Sequence, residues 1–195
     1  MPRPSQEAKI LEAALRCFAD LGYDATRVRH IADAAGVSEG ALYRHYESKE
    51  ALAHALFARY MSAYVAVLQD IADRPLPVRD RLMAMVYATM DIYRAQPDAT
   101  YFILLGPSKL YTAMEPGFRF PLEVVEEVIR EGQQSGVVRE GQPNLLAAIY
   151  LGCTARPIIV ARLADPGALD LLHEPQHDTI IAEAAWAALA RPKPD

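Results

Sequence analysis

The chain has 195 residues, 52% hydrophobic and 23% charged, a balance typical of a soluble globular protein. No apolar run approaches the roughly 20 residues of a bilayer span, and the first residues lack a signal peptide's apolar region, so we expect a cytoplasmic protein with no membrane partner. The net charge of −5 is unevenly divided: residues 1–60 carry eight basic and eight acidic side chains, and the remainder carries twelve and seventeen.

The first predicted helix begins after Ser5, whose hydroxyl can cap it, and ends at Gly22. Its apolar residues recur at intervals of three and four, as on a buried helix face: Ile10, Leu11, Ala14, Leu15, Phe18 and Leu21. Thr26 is predicted to cap a second helix, from which Arg27 and Arg29 project outward. We expect Arg29 to reach a base or a phosphate of DNA; the alternative is a solvated surface arginine.

Residues 35–46 predict the turn and second helix of a helix-turn-helix. Gly36 can adopt the left-handed conformation that ends one helix, and Ser38 can cap the next. That helix is too short to be stable alone, so Leu42 and Tyr46 must dock on other residues. Its remaining face combines small and hydrogen-bonding residues suited to the major groove: Glu39, Gly40, Ala41, Tyr43, Arg44 and His45. Ordinary helical hairpins share this pattern, so spacing alone leaves both interpretations open.

The surrounding residues resemble the DNA-binding domain of the TetR family of bacterial transcriptional regulators. The matching features are the Ile31-Ala32 pair, the Ala35-Gly36-Val37-Ser38 corner, Gly40, the Leu42-Tyr43 pair and Ser48-Lys49-Glu50. The resemblance covers the first quarter of the chain. It implies an all-α protein of about nine helices, with a three-helix DNA-binding domain at residues 1–48 and an effector-binding and dimerisation bundle at residues 49–195.

The resemblance also implies a homodimeric repressor that binds a near-palindromic operator in double-stranded DNA and is released by a small, largely apolar effector. No cofactor is expected. The residues predicted to contact DNA are Thr26, Arg27, Arg29, Ser38, Glu39, Gly40, Ala41, Tyr43, Arg44, His45 and Lys49. Glu39 departs from the polar or basic residue expected at the start of a recognition helix. It can accept from a cytosine amine or hold Arg29 or Arg44 in position.

Ser48 is predicted to cap a long helix at residues 49–73, and Lys49 in its first turn can hold a phosphate. Further helices are predicted at residues 78–96, 98–105, 118–135, 144–163 and 179–190, with a loop at residues 106–117. Aromatic, methionine and polar residues of these helices permit an effector cavity: Tyr64, Tyr87, Met90, Tyr93, Phe102, Tyr150, Cys153 and Arg156. The aromatic and methionine residues fit a plain core equally well.

Arg156 is the only charge between Asn144 and Arg162, so we expect a buried guanidinium that needs a partner. A salt bridge within the chain or across a dimer is one interpretation, and contact with an anionic or carbonyl-bearing ligand is the other. Small residues of the last two helices allow close approach to a second copy, and the predicted dimer interface is Ala148, Gly152, Ala155, Ile181, Ala184, Ala185 and Ala188.

Two other hypotheses about function compete with an effector-controlled repressor. An enzyme with a regulatory helix-turn-helix would need converging titratable groups in the bundle, and Arg156 is almost alone there. A DNA-binding dimer without an effector would have a bundle lacking an internal cavity. A zinc site is not expected. The spacing of His173 and His177 matches a zinc-protease pattern in which both histidines lie on one face of a helix, but Pro175 between them cannot lie inside a helix. Cys17 and Cys153 are expected to be reduced core thiols.

Overall fold

The computed structural model describes residues 5–163, 172 and 174–192, and every regular element in this part of the chain is helical. The all-α prediction is therefore confirmed, with ten α-helices among the described residues rather than nine. They are α1 Gln6–Leu21, α2 Val28–Ala35, α3 Glu39–Tyr43, α4 Lys49–Ala72, α5 Val78–Ala95, α6 Pro97–Leu105, α7 Ser108–Thr112, α8 Pro121–Gln134, α9 Pro143–Leu163 and α10 Asp178–Leu189. A 3-10 turn, Pro175–His177, precedes α10.

The helices form two compact units that are interleaved along the sequence. The N-terminal unit contains Met1–Met61 and Pro97–Phe118, and the C-terminal unit contains Ser62–Gln96 and Arg119–Asp195. Helix α4 contributes its first half to one unit and its second half to the other. The two units differ from the predicted domains, residues 1–48 and 49–195, because residues 49–61 and 97–118 pack with the N-terminal helices.

Aromatic stacking holds the N-terminal unit together. Ser5 caps α1 by accepting from the Ala8 N–H at 3.1 Å. The predicted apolar stripe of α1 is buried except for Leu21, which is 49% exposed at the end of the helix. Helix α6 packs on α1, where the rings of Phe18 and Phe102 stack with centroids 5.5 Å apart. Phe57 of α4 meets Phe102 edge-on at 6.4 Å. Helices α1, α4 and α6 therefore share one core.

Hydrogen-bonded polar groups lie inside the C-terminal unit. The Tyr150 hydroxyl donates to the Leu82 carbonyl at 2.6 Å, and the Tyr64 hydroxyl lies 2.9 Å from Thr89 Oγ1. Arg94 donates to both carboxylate oxygens of Asp178 at 3.0 and 2.7 Å. Because Asp178 is 4% exposed, this ion pair fastens the first turn of α10 to α5.

Two sequence expectations fail at the level of whole elements. The predicted loop at residues 106–117 contains the short helix α7. By length and composition, α4 and the Pro143–Ala161 part of α9 are apolar enough to cross a bilayer, so the statement that no run approaches a span was wrong. The α9 window is only 28% buried, because side chains such as Leu145 and Ile149 are exposed on the single chain.

Candidate nucleic-acid interface

The corner between α2 and α3 forms as the sequence predicts. Gly36 has φ 67° and ψ 37°, the left-handed conformation, which a side chain would disfavour. Ser38 is extended, and its hydroxyl accepts from the Ala41 N–H at 3.1 Å. Helix α3 therefore starts directly after the turn, and the predicted helix-turn-helix is confirmed.

Helix α3 has one buried side and one exposed side. Leu42 is fully buried and Ala41 is 5% exposed, whereas Tyr43 is 49% exposed. Glu39, Arg44 and His45 are exposed, and a Cβ built on Gly40 meets no atom within 4 Å. We call the exposed residues the α3 face: Glu39, Gly40, Tyr43, Arg44 and His45. Tyr43 and His45 are thus open to a partner rather than packed inside the chain.

Three exposed arginines accompany the α3 face: Arg27, Arg29 and Arg44. The Arg29 Nε lies 3.7 Å from Asp33 Oδ2, and both side chains are more than 70% exposed. An exposed pair of this kind is weak, so a phosphate can compete for Arg29. Among the described residues, Glu39 makes no ion pair with either Arg29 or Arg44, so its suggested role in holding them has no support.

Thr26 and Ala41 do not face the predicted partner. Thr26 is 1% exposed, and its hydroxyl donates to the Gly22 carbonyl at 2.7 Å and lies 3.0 Å from the Cys17 carbonyl. The Thr26 hydroxyl therefore ties α1 to the turn that follows it and does not cap α2. At the start of α2, the Arg27 N–H donates instead to His30 Nδ1 at 3.3 Å. The prediction that the Thr26 and Ala41 side chains contact DNA was wrong, because both are used in packing.

Lys49 is also used internally. Its Nζ donates to the carbonyls of Tyr23 and Thr26 at 2.8 and 2.9 Å and lies 4.4 Å from the centroid of the Tyr23 ring. The side chain thus fastens the turn between α1 and α2 to the first turn of α4. A phosphate contact, which the sequence predicts, would compete with these two hydrogen bonds.

Tyr23 is a residue to which no motif in the sequence points. Its hydroxyl donates to Glu50 Oε1 at 3.1 Å, and Lys109 Nζ lies 4.7 Å from its ring centroid. Burial, with the Glu50 hydrogen bond as a smaller cause, raises its pKa above the usual value. Tyr23 follows Gly22 in a turn and belongs to no periodic pattern, so only the tertiary structure reveals its contacts.

The predicted effector residues divide between the two units. Tyr64, Met90, Tyr93 and Tyr150 are buried in the C-terminal unit, with Tyr87 and Cys153 half-buried there. Burial raises the pKa of Tyr64 to about 12. Phe102 instead belongs to the N-terminal unit, in the stack with Phe18, so it was wrongly grouped with the others. Arg156 is exposed on the single chain, which corrects the expectation that it is buried.

The predicted dimer residues also separate by exposure. Ala148, Gly152 and Ala184 are exposed, and Ala155 and Ala188 are half-buried. Ile181 and Ala185 are buried within the chain, at 9% and 0% exposure, so their side chains cannot meet a second copy. Sequence reasoning missed the large exposed side chains beside them: Leu145, Ile149 and Ile180.

The histidine pair of the zinc-like pattern is only partly visible. His173 lies outside the described residues, whereas His177 closes the 3-10 turn before α10. Among the described residues, no group of three or more His, Cys, Asp or Glu side chains is arranged to hold a metal ion.

Comparison with known proteins adds to this geometry. Residues 10–56 match the family described as bacterial regulatory proteins, tetR family. Over 87 residues the chain is 36% identical to the HTH-type transcriptional repressor KstR2 of Mycobacterium tuberculosis, a match that covers 45% of this chain and 44% of that protein. The chain thus spans less than half the length of this curated relative.

Two solved structures are similar over nearly the whole chain. A bacterial regulatory protein in the tetR family from Rhodococcus RHA1 is 25% identical with a TM-score of 0.76, covering 98% of this chain and 100% of that chain. The transcriptional regulator FadR from Bacillus subtilis, in complex with stearoyl-CoA, is 19% identical with a TM-score of 0.77, covering 92% and 97%. At 19% identity the likeness to FadR concerns the fold alone.

Proposed function

We propose that this chain belongs to the TetR family of bacterial regulatory proteins and that it is a cytoplasmic homodimeric transcriptional repressor. Residues 1–48 contact operator DNA, and residues 49–195 dimerise and bind a small, largely apolar effector. The protein is a binding module rather than an enzyme.

The observation that carries this proposal is the exposed α3 face. A five-residue helix whose apolar side is buried and whose outer side presents Tyr43, Arg44 and His45 is suited to insertion into a major groove. The Cβ position of Gly40 is open, so DNA can approach the helix closely there. Arg27 and Arg29 at the start of α2 are available for phosphates or base edges.

A second copy is needed because one short helix reaches few base pairs. Two such helices related by a two-fold axis read half-sites about 34–36 Å apart, so the operator is near-palindromic. The exposed apolar residues of α9 and α10 are available for the contact between copies. Leu145, Ala148, Ile149 and Gly152 share one side of α9 by their spacing, and Ile180 and Ala184 lie on α10, which packs on α9.

The effector acts through its preference for one of two spacings of the recognition helices. A 100-fold loss of DNA affinity requires a coupling free energy of about 2.7 kcal/mol. An apolar effector suits the aromatic and methionine side chains of the C-terminal unit. Stearoyl-CoA, the ligand in the FadR structure, is the first compound to test because its acyl chain is apolar, although its CoA part is large and charged.

The test is a gel shift with DNA fragments that flank the gene. Tyr43→Ala lowers affinity for every fragment, whereas Arg29→Ala also relaxes base preference. The matched controls are Tyr60→Ala, at a half-buried tyrosine of α4, and Arg79→Ala, at an exposed arginine of α5; both keep wild-type affinity. Unchanged binding by Tyr43→Ala and Arg29→Ala would reject the DNA-binding assignment. Persistence of the shift with stearoyl-CoA would exclude that effector.

A further inference from the structure

A cavity of about 150 Å³ lies within the N-terminal unit, between the end of α1 and the end of α6. It is partly open to solvent. Its wall consists of aromatic, aliphatic and small residues: Phe18, Ala19, Gly22, Tyr23, Tyr101, Phe102, Leu105, Gly106 and Pro107. No charged side chain lines it. The predicted effector residues of the C-terminal unit play no part in this cavity.

Small residues of the two helix ends leave this space. Gly22 is exposed and has φ 78°, a conformation that disfavours a side chain, so the cavity stays open to solvent on this side. A Cβ on Gly106 would lie 2.5 Å from the Phe102 carbonyl oxygen, so the tight turn after α6 excludes any larger residue. Ala19 adds only a methyl group. The cavity is thus fixed by local backbone geometry.

Ring stacking gives the wall a defined shape. The Phe18 ring lies 5.4 Å from the Tyr23 ring and 5.5 Å from the Phe102 ring, centroid to centroid. Aromatic rings prefer offset-stacked or edge-to-face neighbours at such distances. A space of about 150 Å³ with a mostly apolar, aromatic wall can hold a benzene-sized ring, which packs on the wall and keeps its other side in contact with solvent.

We propose that this cavity is a second ligand site, separate from the effector site of the proposed function, and that it takes a small uncharged aromatic molecule of about benzene size. An uncharged ring is favoured over an ionic ligand because no charged side chain lines the wall to pair with it.

Tyr23 connects this site to the helix-turn-helix. Its ring forms part of the cavity wall, and its carbonyl accepts from Lys49. The hydroxyl of the same residue donates to Glu50. A bound aromatic ring that packs on Tyr23 stabilises the turn between α1 and α2 in this arrangement. The ligand thus raises the stability of the N-terminal unit by mass action.

The test titrates fluorobenzene into the full chain and follows ¹⁹F NMR line broadening together with the melting temperature. Ala19→Leu fills the cavity, and Ala58→Leu makes the same change at a half-buried site of α4 outside it. We expect wild type and Ala58→Leu to bind and to melt at higher temperature, and Ala19→Leu to bind at least tenfold more weakly.

A second variant guards against misfolding of Ala19→Leu. Leu105 is 44% exposed at the rim, so Leu105→Trp narrows the entrance without changing the core, and it also weakens fluorobenzene binding. Absence of binding by wild type, or equal binding by wild type and both cavity variants, would overturn the proposal. Neither result bears on DNA binding by Tyr43→Ala, so the two proposals fail independently.

Discussion

Two exposed surfaces of this chain differ in chemistry, and the difference indicates what each one meets. The α3 face presents a tyrosine, an arginine, a histidine and a glutamate around one glycine. The exposed side of α9 presents Leu145, Ala148, Ile149 and Gly152, and Ile180 of α10 is 65% exposed. We call this second set the α9–α10 face. Hydrogen-bonding tips and cations suit a polyanion, whereas exposed aliphatic side chains at helical spacing suit another protein surface.

The comparison teaches that apolar composition and burial within one chain are separate properties. The sequence of α9 predicts a buried helix because nearly every residue is apolar. In the structure, however, much of this helix is exposed on the single chain. The α3 face is polar, and one of its side chains, His45, also contacts α1, with its Nε2 3.4 Å from Gln6 Oε1. The proposed function assigns a different partner to each surface.

A charge placed on the α9–α10 face tests most strongly whether this surface meets a second copy. Ile149→Asp removes an aliphatic side chain from each copy, about 2 kcal/mol per side chain or about 4 kcal/mol per dimer, so the dimer dissociation constant rises by about 1000-fold. Operator affinity falls with it. Sedimentation velocity measures the change.

Val137→Asp is the matched control for this prediction, because Val137 is 44% exposed but lies in the turn after α8. It leaves the dimer intact. If Ile149→Asp also sediments as an unaltered dimer, the two copies do not meet through the α9–α10 face.

The next prediction compares Arg44, an exposed cation available to DNA, with Lys49, which is hydrogen-bonded inside the N-terminal unit. Arg44→Gln removes an exposed charge beside Tyr43, so the slope of log affinity against log salt falls by about 1. Lys49→Gln removes hydrogen bonds to the Tyr23 and Thr26 carbonyls, so it lowers the free energy of unfolding by about 1–2 kcal/mol and leaves the slope unchanged. Filter binding at several salt concentrations and urea unfolding provide the two readouts.

A reduced slope for Lys49→Gln, with stability intact, would instead restore the phosphate contact that the sequence predicts for this lysine. Lys109→Gln is a suitable control, since Lys109 also contacts the Tyr23 ring but does not donate to those carbonyls.

A third measurement concerns alkaline stability. Burial raises the folded-state pKa of Tyr64 in the C-terminal unit to about 12, above the unfolded value of about 10. The stabilisation is complete below about pH 10 and is lost as pH rises toward about 12, because the unfolded chain releases its proton first. The free energy of unfolding falls by up to about 1.4 kcal/mol per pH unit in this window, and Tyr64→Phe flattens the fall.

Tyr46 offers the matching measurement in the N-terminal unit. Its pKa is also raised to about 12, by burial and by its hydrogen bond to Glu7, but it is half-exposed and therefore better screened. Tyr46→Phe flattens the alkaline fall less than Tyr64→Phe. Urea unfolding between pH 9 and pH 11.5 tests this order, and an equal effect of both variants would contradict it.

Local signals explain what the sequence predicted well. Ser5, Gly36 and Ser38 determine helix ends through their own backbone and hydroxyl geometry, so α1, the corner and α3 follow from adjacent residues. The inward stripe of α1 follows from periodicity, except at Leu21, which is 49% exposed. These features depend on contacts within a few residues.

Long-range contacts explain what the sequence missed. Phe102 joins the N-terminal unit because it stacks on Phe18, and nothing near either residue encodes that pairing. The Thr26 hydroxyl meets two carbonyls, that of Gly22 in the turn before it and that of Cys17 in α1, and so does not act as the expected cap. Arg156 lies on the accessible side of α9, so apolar neighbours in sequence were a poor guide to its burial.

The accessible aliphatic side chains of α9 have a consequence for dosage in the cell. If the chain meets its operator as a pair, then at scarce copy number the population of pairs grows with the square of the number of chains synthesised. Occupancy of the promoter would then switch over a narrow range of expression, before any small molecule intervenes. The exposed aliphatic side chains of α9 would thus determine how steeply repression responds to the concentration of the chain.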